Sequence, residues 1–316
     1  MSGSLSNIVG KALRRSAGLA LCLGLLAAPA LAAPDLNLKG VIDFHVHSGP
    51  DTVKRSIDTD DLARLAKKSG MRGLVLKSHT QPTAGIAYVA RKAAPGLEVF
   101  GGITMDLSNG GINVEAVKNM LLMTGGLGKV VWLPTHNAEN DASRRTGIAS
   151  IVIARDGKLM PNVVELIDFI AQHPELVLET GHISAEEVLL VTREAKLKGV
   201  KHVVVTHAMY YVENMSIPQM KQAAADGAYL EFCADGPHVG PQPRRTVAEY
   251  AEAIRQVGPQ HVILSTNFGS VRNPPDPMHP KGMLDFMNAL HKEGLSVADI
   301  NMITKTNPAL ALGLKP

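Results

Sequence analysis

The chain has 316 residues, 45% of them hydrophobic and 4% aromatic, and a formal net charge of +3. That length holds one large domain or two small ones, and a single α/β barrel of about 250 residues fits within it. All of the basic excess is accounted for by Lys11, Arg14 and Arg15 in the first 32 residues, so the rest of the chain offers no charge reason for a nucleic-acid or anionic-membrane partner.

Taken in chain order, residues 1–32 read as an export signal. A basic start is followed by an apolar stretch at 17–29, shorter than the roughly 20 residues needed to span a bilayer. Ala30-Leu31-Ala32 then offers a cleavage site. The expectation is a working domain at 33–316, periplasmic or secreted, with no stable membrane anchor after cleavage. Cys22 would leave with the signal. Cys233 would then be the single cysteine, which rules out an internal disulfide, and its apolar setting predicts a buried, inert thiol.

Strand-like apolar runs follow at 41–46, 73–77, 98–103, 129–133, 176–180, 202–206, 228–233 and 261–266. Their near-continuous hydrophobicity suits a parallel sheet covered on both faces. Helical patterns alternate with them, as in right-handed βαβ units. Thr59 before Asp60-Asp61 starts a helix that Gly70 stops. Ser184 with Glu187 forms a capping box. Thr246 and Gly258 bound another helix, and Ser296 opens a segment ending at Lys305. Between 136 and 160, Asp156-Gly157 predicts a small β-hairpin inserted after the fourth strand. These elements predict an α/β fold, a (β/α)8 TIM barrel. A doubly wound open sheet is the alternative, weakened because no Gly-x-Gly-x-x-Gly turn follows any strand.

The twelve histidines are not scattered evenly. His45-Val-His47 closes the first strand, and residues i and i+2 share one side of a strand. Two imidazoles on one rigid strand make half of a tetrahedral metal site. Lys77 and His79 end the second strand, His136 follows the fourth, His182 ends the fifth and His207 the sixth. A single histidine is ordinarily a solvated or satisfied side chain. Five strands that each deliver one to the same barrel face, where active sites of this architecture lie, need another explanation.

In this ordered set the chain resembles the amidohydrolase, or metallo-dependent hydrolase, superfamily. The matching pieces are His45-x-His47, His182, His207, the segment Ile263-Leu-Ser-Thr-Asn267 and the tail Thr306-Asn-Pro-Ala309 with Leu312-Gly-Leu314. The resemblance implies a divalent metal, one or two per chain, with zinc as the default for imidazole ligands and manganese or iron as alternatives. It implies that His45 and His47 bind the more buried ion. His182 and His207 would bind a second; in one-metal members the first of these joins the same ion and the second polarises the substrate. Lys77 is the one lysine placed like the superfamily's bridging lysine. Its options are a carboxylated metal bridge, a substrate-binding ammonium or a plain salt bridge.

The departure is Asn267, where the superfamily has an aspartate that takes the proton from water. A carboxamide has no useful basicity. Another base would serve (Asp235, Glu231, Asp51 or His207), or the chemistry needs none, or the protein binds without turnover. His79, Asp51 and Arg55 are the expected substrate contacts, with Arg244 or Arg245 as further options for an anion. The reading is an exported metal-dependent hydrolase of an amide, ester or lactone. Its alternatives are a one-metal decarboxylase or lyase, and a catalytically impaired metal- or ligand-binding barrel. A small-molecule substrate is the expected partner, and a homo-oligomer stays open.

Overall fold

The apolar, β-branched runs form eight parallel strands in a computed structural model that describes residues 36–238, 244–271 and 279–316. The expected export signal and cleavage site lie outside the described residues. Strands β1 (Ile42–Val46), β2 (Gly73–Leu76), β3 (Glu98–Thr104) and β4 (Gly128–Trp132) come first. A hairpin, β5 (Ala154–Arg155) with β6 (Lys158–Leu159), interrupts the series. Strands β7 (Val177–Glu179), β8 (His202–Val205), β9 (Tyr229–Cys233) and β10 (Val262–Ser265) complete it. Among the described residues the sheet order is β1-β2-β3-β4-β7-β8-β9-β10, every neighbouring pair parallel.

The sheet closes on itself at its C-terminal end. The Asn267 amide donates to the His45 carbonyl at 2.8 Å, and the His47 amide donates to the Phe268 carbonyl at 2.8 Å. The fold is thus the expected (β/α)8 barrel, and the open-sheet alternative falls. Both faces of the sheet are covered, which is why the strands read as unbroken apolar runs. Ile42, Phe44, Val75, Trp132 and Ile263 fill the barrel interior. The N-terminal end is plugged by the last helix, Asn307–Ala311, through Ala309, Ala311 and Leu312. The Asn307 side chain donates to the Val262 and Pro259 carbonyls at 2.6 and 2.8 Å, pinning that plug to β10.

Local signals behave mostly as their chemistry dictates. Ser184 with Glu187 and Thr246 with Glu249 each form the full reciprocal capping box. The predicted hairpin turns through Asp156 and Gly157, both at positive φ, as a two-residue turn between antiparallel strands requires. One start differs. Thr59 lies inside its helix, Thr59–Lys68, with Asp58 at the cap. The Thr59 hydroxyl instead donates to the Gly49 carbonyl at 2.6 Å, so a tertiary contact with the loop after β1 takes the group that would have capped the helix.

Candidate functional site

Five histidines from four strand ends, two of them from β1, form a closed circle at the C-terminal mouth. Going round, ring centroids are 5.3 Å apart for His45–His47, 5.1 Å for His47–His79, 5.6 Å for His79–His182, 4.9 Å for His182–His207 and 5.6 Å for His207–His45. His136 stacks on the outside of His79 at 3.8 Å. Two glycines make the approach possible. Gly181, at φ +65°, turns β7 so that His182 enters the circle, and a Cβ there would lie 2.3 Å from the Leu133 carbonyl oxygen. Gly269, at φ +110°, lets the segment carrying Asn267 press on β1, where a Cβ would lie 1.8 Å from the His47 carbonyl oxygen. His207 and Asn267 themselves sit at positive φ, 25° and 55°, backbone strain of the kind that collects at functional sites.

Each of the five rings is held by its Nδ1. His47 Nδ1 lies 2.9 Å from the Lys77 carbonyl, which can only accept. His45 Nδ1 lies 3.0 Å from Glu231, His182 Nδ1 2.9 Å from Asp141, and His207 Nδ1 2.9 Å from Glu213. His79 Nδ1 lies 2.7 Å from the Thr135 hydroxyl. That hydroxyl donates to Asp106, whose other oxygen accepts the Thr135 and Asn137 amides at 2.9 Å each. With Nδ1–H spent on an acceptor in every case, each neutral ring turns an unprotonated Nε2 away from its holder. This is how metal-ligating histidines are fixed in tautomer and angle. Burial pushes His47, His79, His182 and His207 well below the ordinary imidazole range, with neighbouring cations adding to the effect, Arg55 first at His47. The rings are therefore neutral, as ligands must be.

Asn267 supplies the test of whether a cation fits. Its Nδ2 donates to Asp235 at 2.9 Å, which turns its Oδ1 toward His47 Nε2 at 3.1 Å. The nitrogen is a lone pair because Nδ1 carries the proton, and the oxygen is an acceptor. Two acceptors facing each other at that distance repel unless a cation lies between them and their neighbours. A ring of Nε2 donors plus one carboxamide oxygen is a donor set suited to zinc or a similar divalent ion.

Beneath the circle the interior turns polar. Lys77 is buried, its Nζ has no hydrogen-bond partner among the described residues, and it stands 5.5 Å from the centre of the Trp132 ring. Burial lowers its pKa, while Glu179 and then Glu231 act in the opposite sense. Burial raises Glu179 well above the carboxylate range, helped by Glu231. Lys77 is thus buried in the field of Glu179 and Glu231, whose effect on it opposes that of its burial. Cys233 is buried as expected, its thiol pushed up by that burial, and its sulfur lies within 4.8 Å of ligand atoms of His45 and Glu231.

Above the circle lies a cavity of about 270 Å³. Its floor is His47, His79, His182, His207 and Asn267, and its walls include Arg55, Arg145, Tyr210 and Tyr211. Of the residues expected from sequence, the structure brings His45, His47, His79, His182, His207 and Asn267 together. Asp235 stands behind Asn267, and Lys77 stands below. Asp51 holds Arg55 through contacts of 2.8 and 2.6 Å and is not part of the lining. Arg245 pairs with Glu249 and Asn214 instead of facing the cavity. Residues 239–243 of its loop lie outside the described residues. Sequence reasoning missed Asp106, Thr135, Asp141, Glu213 and Arg145, and it named Glu231 only as a base. None of them sits in a motif; the carboxylates and Thr135 are found only by asking what holds a given Nδ1, and Arg145 only by asking what lines the cavity. Because Glu231 also accepts the His207 amide at 3.1 Å, Glu231→Ala is expected to weaken metal binding about 10–100-fold, read by competition against a chelating dye.

A family described as of unknown function (DUF6282) matches residues 40–231. No curated protein matches in sequence. An amidohydrolase from Pseudomonas aeruginosa is similar in structure, with a TM-score of 0.58 at 14% identity over 87% of this chain and 95% of that one. A mutant PTE-like lactonase from Deinococcus radiodurans aligns with a TM-score of 0.57 at 12% identity, covering 86% and 95%. A 2,6-dihydroxybenzoate decarboxylase aligns with a TM-score of 0.54 at 10% identity, covering 87% and 100%. At these identities the likeness is one of fold, and the fold is that of the superfamily the motifs resemble.

Proposed function

We propose, for a chain that belongs to the DUF6282 family of unknown function, an exported metal-dependent hydrolase that opens an ester, lactone or amide. The observation that carries this reading is the circle of five histidines, each fixed by its Nδ1 so that Nε2 is left as a donor. His45, His47, His182 and His207 would hold the ion, with the Asn267 carboxamide oxygen beside His47. A bound divalent ion supplies a Lewis acid for the carbonyl and a lowered pKa for water. Export rests on the basic and apolar pattern of residues 1–32.

Water attack still needs a proton acceptor. The carboxylates nearest the site are committed: Asp235 to Asn267, Glu231 to His45 and His207, Asp51 to Arg55. His79 is the acceptor this reading selects. It lines the cavity, its Nε2 is free of the proton, and the Asp106–Thr135 pair behind Nδ1 stabilises the ring once Nε2 is charged. It would then return the proton to the leaving group.

Metal-loaded protein assayed in H₂¹⁸O with p-nitrophenyl esters and simple lactones tests the reaction. The expected result is one ¹⁸O in the acid product. His79→Gln should lower kcat about 10²–10⁴-fold with metal content unchanged; loss of metal in that variant would make His79 a ligand instead. A second reading, a decarboxylase, draws on Asn267, because carbon dioxide release requires no deprotonated water. CO₂ formed from an aromatic acid with no ¹⁸O uptake would decide for it. Metal bound without turnover of either kind would leave a binding barrel.

A further inference from the structure

Two guanidiniums face the same cavity from different loops, Arg55 after β1 and Arg145 after β4. Arg55 is no wandering surface side chain. Its side chain is 5% exposed and the Asp51 carboxylate that grips it 1%. Asp51 is in turn tied by its other oxygen to the Thr52 amide at 2.7 Å and the Ser78 hydroxyl at 3.2 Å. Arg55 Nη1 donates to the Ser270 hydroxyl at 3.3 Å, across the barrel seam. Arg145 is likewise anchored, by the His136 carbonyl at 2.6 Å and Asp141 at 3.1 Å. Among the described residues lining the cavity, Asp141 is the one carboxylate, and it is already spent on His182 and Arg145. Each guanidinium is balanced by a carboxylate, but Asp51 stands behind the lining, so the cavity surface itself presents two guanidiniums against one carboxylate. Burying and locking an arginine costs desolvation, and the return is a preorganised, bidentate-capable donor for a carboxylate or similar planar anion. The cavity, about 270 Å³, falls just below the range that holds drug-sized ligands.

We propose that the substrate is a small carboxylate, held at the outer wall between Arg55 and Arg145 while its reacting carbonyl faces the histidine floor. This rests on reading the cavity as the substrate site, and it names the substrate class. Tyr210 and Tyr211 border the same space and offer ring faces to whatever carbon skeleton carries the carboxylate.

The test is calorimetric titration of the full-length, metal-loaded protein with glutarate and benzoate. Dimethyl glutarate and benzamide serve as uncharged counterparts. The acids should bind at least tenfold more tightly than the neutral probes. Arg145→Gln and Arg55→Lys should each cost about tenfold in acid affinity and leave the neutral probes unchanged. Arg145 is partly exposed, 37%, so its variant keeps the fold. Arg55→Lys keeps a cation against Asp51, and thermal melts check both. Acid affinity that is the same in both variants would place the carboxylate on the metal alone and overturn the proposal, as would equal affinity for acids and neutral probes or no acid binding at millimolar concentration. Turnover plays no part in the readout. Intact, arginine-dependent anion binding with failed ¹⁸O uptake sinks only the hydrolase reading. Hydrolysis of neutral esters with arginine-independent anion binding sinks only this one.

Discussion

The double variant H45A/H47A is expected to lose its metal and its turnover together. These two side chains leave one strand on one side, and their rings are 5.3 Å apart. His45 is held by Glu231 and His47 by the Lys77 carbonyl, so neither ring has to be ordered by the ion. That preorganisation puts most of the affinity in the pair, and His182 with His207 on the opposite arc would be left with half a tetrahedron. Elemental mass spectrometry on protein purified without chelators should read less than a tenth of the unaltered protein's metal content, and activity should fall to background. Both residues are buried, and their removal leaves Glu231 without a ring to hold. Circular dichroism and a melt therefore accompany the measurement. A folded variant that keeps metal or activity contradicts the mechanism. The count in the unaltered protein matters too. About two ions per chain supports a paired site, and about one supports a single-ion site with His207 left to polarise the carbonyl.

Asn267→Asp is expected to damage the site, although the superfamily's own residue at that position is aspartate. Asn267 Nδ2 donates to Asp235 Oδ2 at 2.9 Å. Substitution puts a carboxylate oxygen against a carboxylate oxygen in a buried place, where Asp235 is fully covered and Asn267 is 5% exposed. Such a pair shares one proton and pushes one pKa up. The cost should be about 1–3 kcal/mol, seen as a lower melting temperature, with weaker metal binding. The exchange of both residues, Asp235→Asn with Asn267→Asp, restores a donor facing an acceptor and should recover most of the loss. If the single variant proved as stable and as tight for metal as the unaltered chain, the Asp235 contact would not be what selects the carboxamide.

Much of this architecture was legible in the sequence. All eight barrel strands fall within a residue or so of the apolar runs, because a strand buried on both faces has to be apolar along its whole length. Asp156-Gly157 announced its hairpin through turn chemistry alone. The helix at 59 was placed correctly but its cap was not, because whether Thr59 serves the helix or the Gly49 carbonyl depends on where the first loop packs. The clustering of the histidines was legible for a different reason. A barrel turns the order of strand ends into a ring, so histidines at strand ends become neighbours whatever lies between them.

The holders of those histidines were not legible. Asp141 lies 41 residues from His182, and Glu231 lies 186 from His45; no local spacing encodes either pair. Arg145 and Arg55 likewise come to line one cavity only through the fold. The amino-acid sequence by itself determined the period of the strands, the order of the histidines and the amide at 267, since each is a property of composition at a position. The tertiary structure decided which group accepts each Nδ1–H, that Lys77 lies beneath the ring and that Arg145 joins Arg55 in the wall. Those depend on distances through space, which barrel closure sets.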